Sequence, residues 1–333
     1  MGKTIVDQNL ILFEQNSTNA AVTLADYIYP AIQKEYVTIL TLESKVLADD
    51  DIEAIHQMRV SLRRLRSQIQ AFGSILNIPT VMGEKQIGKI AKVLGKVRDL
   101  DVLKKTCKSR EINLPDAEKV QIEKVLATIL KRRRKEILKV KLMLNDRDYQ
   151  YFKLGINNWL NNPQYLSTAT VEIGSILPEL MLPAIGKLFI DPSWWIDRDL
   201  DSGIAPELAV SQLLLIHGEV FHNFRKQVKA TRYLMEIFVD RYPSRYQEYL
   251  KDIKQVHQLF GNIQDNLVLD KFIRKVIGKR APTKLPTLYE RIDRSNYLSW
   301  HSWQPIQAQY RQLATKQEFN LFLIQDIIHN LHG

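Results

Sequence analysis

The stretch IHQMRVSLRRLRSQ, residues 55–68, carries one histidine and four arginines and no acid. Those residue types suit anion binding. Guanidinium groups grip phosphate oxygens bidentately, and an anion beside a histidine draws it towards imidazolium. With neither glycine nor proline and with apolar residues at three- and four-residue steps, the segment reads as a helix. At about 100° per residue, His56, Arg59, Arg63 and Arg66 share a stripe roughly 80° wide. Met58, Leu62, Leu65, Ile69 and Phe72 fall on another side. Like charges at such spacings cost an isolated helix a few tenths of a kcal/mol per pair, so an anion outside the helix is expected to offset them.

The pattern occurs twice. His222, Arg225, Lys229 and Arg232 in HNFRKQVKATRY repeat the first stripe at a constant shift of 166 positions. At the same shift LGKVRDLDVL (94–103) falls on FGNIQDNLVL (260–269), pairing Gly95 with Gly261 and Asp99 with Asp265. Phe224, Val228, Met235 and Phe238 lie opposite the second stripe. Two patches in one register argue for a duplicated unit. Lys85, Lys89, Lys92 and Lys96 form a further basic face within about 60°, backed by Ile87, Ile90, Leu94 and Val97. KRRRKEILKVK (131–141) is basic as well, although such a run alone usually marks a solvated face.

Other chemistry finds little footing. There is no P-loop, GxGxxG or HExxH motif, no nucleophile elbow and no paired acids for metals. Cys107 is the single cysteine, which excludes an internal disulfide and a cysteine-built metal site. Gly95 and Gly261, each followed four residues on by Asp, read as helix breaks, with Asp99 and Asp265 capping the next helix. His217 falls on the apolar side of its helix, as a core histidine. Trp159, Trp194, Trp195, Trp300 and Trp303 do not interleave with the stripes, which weighs against a single-strand nucleic-acid surface. No catalytic residue, metal or cofactor is expected.

The elements that must position these residues are helical. Glycine numbers 13 and proline 12 in 333 residues, and 45% of the chain is hydrophobic, enough for substantial cores. Periodicity predicts helices over 20–51, 52–76, 84–98, 100–109 and 117–160, a short one near 179–189, more over 207–278, and final helices beyond 287. This divides the chain into an unassigned segment (1–18), a first helical half (19–160), a linker with an insertion (161–206) and a second half (207–333). The formal net charge of +10 points to an anionic partner: nucleic acid, headgroups or a phosphate polymer. No signal-peptide core precedes the helices, and no apolar run reaches the roughly 18 residues of a spanning helix. A cytoplasmic protein without membrane contact is expected.

DDDIEAIHQMRVSLRRLRS (49–67) resembles the first signature of the CHAD family, the conserved histidine α-helical domain. LGKVRDLDVL resembles its second signature, and HNFRKQVKATRY the one opening its second half. The resemblance spans roughly residues 20–330. It implies an all-α fold of two pseudo-symmetric four-helix bundles around a basic central channel that binds inorganic polyphosphate without catalysis, and association with polyphosphate granules. The channel positions it implies are His56, Arg59, Arg63, Arg66, His222, Arg225, Lys229 and Arg232. Lys89, Lys92 and Lys96 are added as binding candidates, with Arg64, Lys85, Arg134, Lys135, Lys226, Lys251 and Lys254 as a second tier. The missing ExExK signature of triphosphate-tunnel enzymes implies a stand-alone member. Three departures stand out: Gln264 where the first half has Arg98, Ala230 where it has Arg64, and an insertion at 190–206, expected to alter the channel mouth. Nucleic acid is the rival polyanion, and an enzyme acting on phosphate chains the rival activity.

Overall fold

The computed structural model describes residues 22–73, 75–196 and 206–329. Among them the regular structure is helical, with only isolated β-bridges, Thr23 to Glu172 and Leu76 to Tyr165. The chain runs α1 (Leu24–Ala48), α2 (Ile52–Phe72), α3 (Glu84–Glu111), α4 (Asp116–Leu144), α5 (Arg147–Asn161), α6 (Leu177–Phe189), α7 (Pro206–Ile237), α8 (Ser244–Ile277), α9 (Pro286–Arg311) and α10 (Leu313–His329). Short 3₁₀ turns and the single turn Ala281–Lys284 fill the connections.

Local chemistry sets the boundaries. Thr23 opens α1 by accepting from the Asp26 N–H while Asp26 accepts the Thr23 N–H at 2.7 Å, a reciprocal cap. Asp49 ends the helix in the left-handed region, at φ 60°. Asp51 then caps α2, accepting the Glu53 N–H at 2.8 Å. The turn at Asn145–Asp146 divides the expected 117–160 helix in two. There the Asn145 side chain donates to the Lys141 carbonyl at 2.8 Å, and Asp146 accepts the Arg147 N–H at 2.8 Å.

The expected helix break at Gly95 does not occur. Glu84–Glu111 is one continuous helix, and Gly261 likewise sits inside Ser244–Ile277. A helix-interior glycine costs only about 1 kcal/mol relative to alanine, which packed faces on either side easily offset. Asp99 and Asp265 are therefore helix-interior residues, not caps.

α2 and α7 bury the faces opposite their stripes. Ile55, Met58, Leu62, Leu65 and Phe72 are sealed on α2, as are Phe224, Val228 and Met235 on α7. The larger core joins α1, α2 and α5 with α6, α7, α8 and α9. A second, smaller core packs Leu100, Leu103, Cys107, Ile122 and Ile129 of α3 and α4 against Leu269, Ile273, Leu288 and Ile292 of α8 and α9. α2 packs on α3 and α7, and α8 packs on the same two helices, so these four form a closed cycle of neighbours.

Where it is described, the 190–206 segment is anchored to the core through Trp194. Pro192–Trp195 is a 3₁₀ turn that drives Trp194 into the core of the second half, 4.7 Å from the Trp303 ring. Trp194 Nε1 donates to the Leu188 carbonyl at 2.7 Å, and Gln307 donates to the Trp194 carbonyl at 3.0 Å. Residues 197–205 of that segment, and the unassigned residues 1–18, lie outside the described residues.

Candidate anion-binding site

The two stripes lie against one another. Arg63 of α2 reaches across to α7, where one guanidinium N–H donates to the Tyr233 hydroxyl at 3.0 Å. The Tyr233 ring is buried beneath Arg63, Arg64 and Arg232, whose guanidinium carbons stand 5.7, 5.8 and 4.8 Å from its centroid. Such stacking spreads part of the positive charge over an aromatic face. Burial pushes the Arg63 guanidinium below its ordinary pKa, and Arg59, Arg225 and Arg232 add to that. Arginine stays charged nonetheless, so the cations are assembled against their mutual repulsion.

Space for them is cut out of the neighbouring helices. The Arg59 guanidinium crosses α3 over Gly95, where an added Cβ would meet its Nε at 3.2 Å. Arg225 crosses α8 over Gly261 in the same way, at 3.7 Å. Close approach of an arginine accounts for glycine at 95, whereas at 261 a Cβ would be in ordinary contact. Arg66 lies over Gly88 and is held by Glu84 through Nε (3.1 Å) and a terminal N–H (2.6 Å). Asp99, expected from the sequence to be a cap, instead stands 3.7 Å from Arg59.

Several donors in the cluster find no acceptor within the protein. The Nε atoms of Arg59, Arg63 and Arg225 are buried without one, Arg232 Nε has only the Glu236 carboxylate at 3.5 Å, and the ring nitrogens His56 Nδ1 and His257 Nε2 are also unpartnered. Buried polar groups in folded proteins are normally bonded, and leaving one unsatisfied costs about 1–3 kcal/mol. An acceptor-rich anion would satisfy this set.

The two histidines of the stripes differ. Burial, then the charge of Arg98, pulls His56 below its usual pKa. His222 is exposed, and its Nδ1 lies 3.0 Å from the Gln264 side-chain oxygen, which can only accept. His217 is half-buried against the edge of the Phe221 ring, apart from the stripe.

Sequence reasoning missed His257 and Tyr233. Arg232 NH1 lies 3.1 Å from His257 Nδ1. A guanidinium only donates, so Nδ1 accepts and the proton sits on Nε2. Burial, then Arg232, Arg225, Arg63 and Lys229, hold His257 down to about 3, so it is neutral. The spacing of His257, Gly261 and Gln264 on α8 (i, i+4, i+7) is the signal that could have found it. For Tyr233 no sequence signal exists, because it occupies an ordinary core position.

The remaining candidates divide. Lys85, Lys89, Lys92 and Lys96 are exposed on α3, roughly 40–100° around the helix from Gly88. Arg64 and Lys254 line a cavity of about 450 Å³ beside the stripes and are tied to acids. Arg64 pairs with Glu35 (3.8 Å) and Glu236 (3.5 Å), and Lys254 with Glu236 (3.8 Å). Lys251 lies exposed near Lys254. Lys226 borders a different cavity with Lys187 and Ala184 of α6. Arg134 and Lys135 are exposed on α4, and the structure does not bring them to the stripes. Within the same basic run, Arg133 is instead structural, held by Asp49 (2.7 Å) and Asp101 (2.6 Å). Among the described residues no group of acids, histidines or cysteines is arranged to hold a metal, and no helix is long and apolar enough to cross a membrane.

Comparison with known proteins agrees with this architecture. A solved structure described as the CHAD domain from the plant Ricinus communis superposes with a TM-score of 0.61 at 20% identity, covering 93% of this chain and 94% of that one. PptA from Streptomyces chartreusis superposes with a TM-score of 0.57 at 12% identity, covering 84% of this chain and all of the other. At these identities the likeness is one of fold. A search of curated proteins gives no significant match. The sequence model of the CHAD domain matches residues 30–274, well over half of the chain, and the chain belongs to the CHAD domain family.

Proposed function

We propose that this protein binds inorganic polyphosphate, without catalysis, in a basic channel between α2 and α7, and through it associates with polyphosphate granules. The single observation that carries the reading is the set of buried guanidinium Nε donors on two facing helices, left without protein acceptors. On this reading the two stripes are copies of one duplicated unit. An unbranched phosphate chain has regularly spaced charge and no bases, so it needs cations at intervals and no stacking platforms. The stripe from i to i+10 spans about 15 Å of helix, enough to run along several phosphates. Trp194, Trp300 and Trp303 are sealed in the core, and the exposed Trp195 stacks with Arg311 and Lys316, not with a stripe residue, which favours a phosphate chain over single-stranded nucleic acid.

The test is calorimetric titration with long-chain polyphosphate at physiological salt, with duplex DNA as competitor. It compares wild type with the double variant Arg63→Glu, Arg232→Glu. Tight binding that DNA displaces poorly, lost in a double variant of unchanged helicity, is the expected result. Equal affinity for both polymers would mean an open basic face, and sustained release of orthophosphate by pure protein with Mg²⁺ would make it an enzyme. Taking about −0.7 per phosphate neutralised, six to eight contacts give a slope of roughly −4 to −6 in log K against log salt. A slope shallower than about −2 would count against a multi-contact channel.

A further inference from the structure

Lys229 is the one stripe position at which the halves exchange arginine for lysine, since Arg63 is its counterpart 166 residues earlier. Its surroundings are nearly all positive. Arg225 and Arg232 flank it one turn to either side on α7, and Arg63 of α2 reaches the Tyr233 hydroxyl one turn beyond it; the charges of Arg63, Arg225, Arg59 and Arg66 all act on it. Arg232 is turned to His257, whose neutral ring on α8 also feels Lys229. The acids nearby are engaged elsewhere. Glu236 pairs with Arg232, Arg64 and Lys254, Asp99 of α3 lies by Arg59, and Asp265 of α8 acts on Arg225.

An arginine in such a place keeps its charge at any physiological pH, whereas an ammonium group can shed a proton. We infer that Lys229, set among the stripe arginines, makes anion binding proton-coupled: a bound phosphate chain draws a proton onto its amine. This rests on the reading of the cluster as a polyphosphate site. The balance is simple. One proton moves from buffer to Lys229 Nζ, no covalent bond to the chain forms, and the new ammonium adds one charge-assisted contact to a phosphate oxygen.

The electrostatics of the cluster point the same way. Burial first, then Arg63, Arg225, Arg59 and Arg66, bring Lys229 from 10.5 down to about 7. A polyanion threaded among those arginines cancels their repulsion and returns the amine towards its ordinary value. That fixes the sign of the linkage. Below about pH 6 the amine is charged in both free and bound protein, and this group adds no pH dependence. From about pH 7 upwards the free protein loses the proton and the complex keeps it, so affinity falls. If the bound amine returns to near 10, the loss is about five-fold between pH 7 and 8 and approaches ten-fold in the next unit. His257, held at about 3, stays neutral across this range and serves as a fixed Nε2–H donor.

The experiment is titration calorimetry of the full chain with long-chain polyphosphate, whose titrating terminal groups are few, at pH 6, 7 and 8. Each pH is run in two buffers of different ionisation enthalpy, which counts the protons taken up. Lys229 should account for about half a proton at pH 7 and closer to one at pH 8, with affinity declining over the same interval. That share is read as wild type minus Lys229→Arg, because His56, also held below its usual pKa, takes up protons in both. Lys229→Arg, which installs the first stripe's residue, should flatten the affinity profile and remove that uptake, while circular dichroism verifies its helicity. Binding with no proton uptake in wild type, or undiminished uptake in Lys229→Arg, overturns the coupling and leaves the binding reading intact. Absence of binding even at pH 6 overturns the binding reading, and the coupling with it. A polyphosphate-bound Lys229→Met variant provides the second check. If its pH profile still matches wild type, the titrating group is elsewhere and the assignment fails.

Discussion

The stripe on α2 and the stripe on α7 share a spacing and differ in chemistry. At the second position they behave alike, Arg59 crossing α3 over Gly95 and Arg225 crossing α8 over Gly261. At the last position they part. Arg66 lies over Gly88 and is drawn to the partly exposed Glu84. Arg232 has Lys254 where that glycine would be, and turns to His257, Tyr233 and Glu236. At the third, permanent charge in Arg63 faces a titratable amine in Lys229. The flanking helices diverge too: Lys89, Lys92 and Lys96 of α3 correspond to Gln255, Gln258 and Asn262 of α8. One stripe is flanked by exposed lysines on the neighbouring helix. The other keeps Arg225 and Arg232 but is flanked by neutral side chains and has lysine at its third position.

That contrast can be broken first at the shared position. Arg59→Ala and Arg225→Ala should each cost about 1.5–3 kcal/mol of polyphosphate affinity, roughly ten- to hundred-fold in Kd. Equal losses by titration calorimetry mean that both halves grip the same chain. A loss confined to Arg59→Ala would make the site one-sided.

A smaller effect of opposite sign is expected at the acids. Glu236 holds Arg64, Arg232 and Lys254 together, whereas Glu84 holds Arg66 alone. Glu236→Gln, which frees Arg232 and Lys254 and leaves Arg64 only Glu35, should tighten polyphosphate binding by about five-fold and steepen its salt dependence. Glu84→Gln, acting on an exposed pair, should give about two-fold or less. Weaker binding after Glu236→Gln would show that the acid positions the arginines.

The smallest difference concerns the glycines. Gly261→Ala places a Cβ at ordinary contact distance and should raise stability by about 0.5–1 kcal/mol through helix propensity. Gly95→Ala meets Arg59 Nε at 3.2 Å, so Arg59 must shift. Its stability gain should be smaller, and its polyphosphate binding weaker than that of Gly261→Ala. Thermal unfolding with parallel binding assays separates the two. A Gly95→Ala protein that binds like wild type would mean that the Arg59 path over α3 is not needed.

Much of the molecule is readable from its residues. The helical periodicity, the apolar backs of α2 and α7 and the repeat at 166 positions all rest on local spacing, which a chain displays without folding. The errors at the site have one origin. Gly95 and Asp99 carry the local chemistry of a helix end, yet their roles come from Arg59 on the preceding helix, which no local rule could supply. Trp194 stands among polar, turn-forming neighbours that suggest a loop, although its own ring is sealed against Phe224, Trp303 and Tyr310. Arg64 resembles a stripe member by proximity, yet it points towards Glu35 and Glu236.

By itself the sequence determined that the chain is helical, that its cations lie on one face of each of two helices, and that both faces carry the same spacing. These features come from the geometry of the α-helix, which converts residue number directly into direction. Only the tertiary structure decided which cations face one another and which are neutralised. Burial and long-range charge set those outcomes, and both depend on helices far apart in the chain. For that reason His257, Tyr233 and the altered proton affinity of Lys229 appear only once α2, α3, α7 and α8 are packed together.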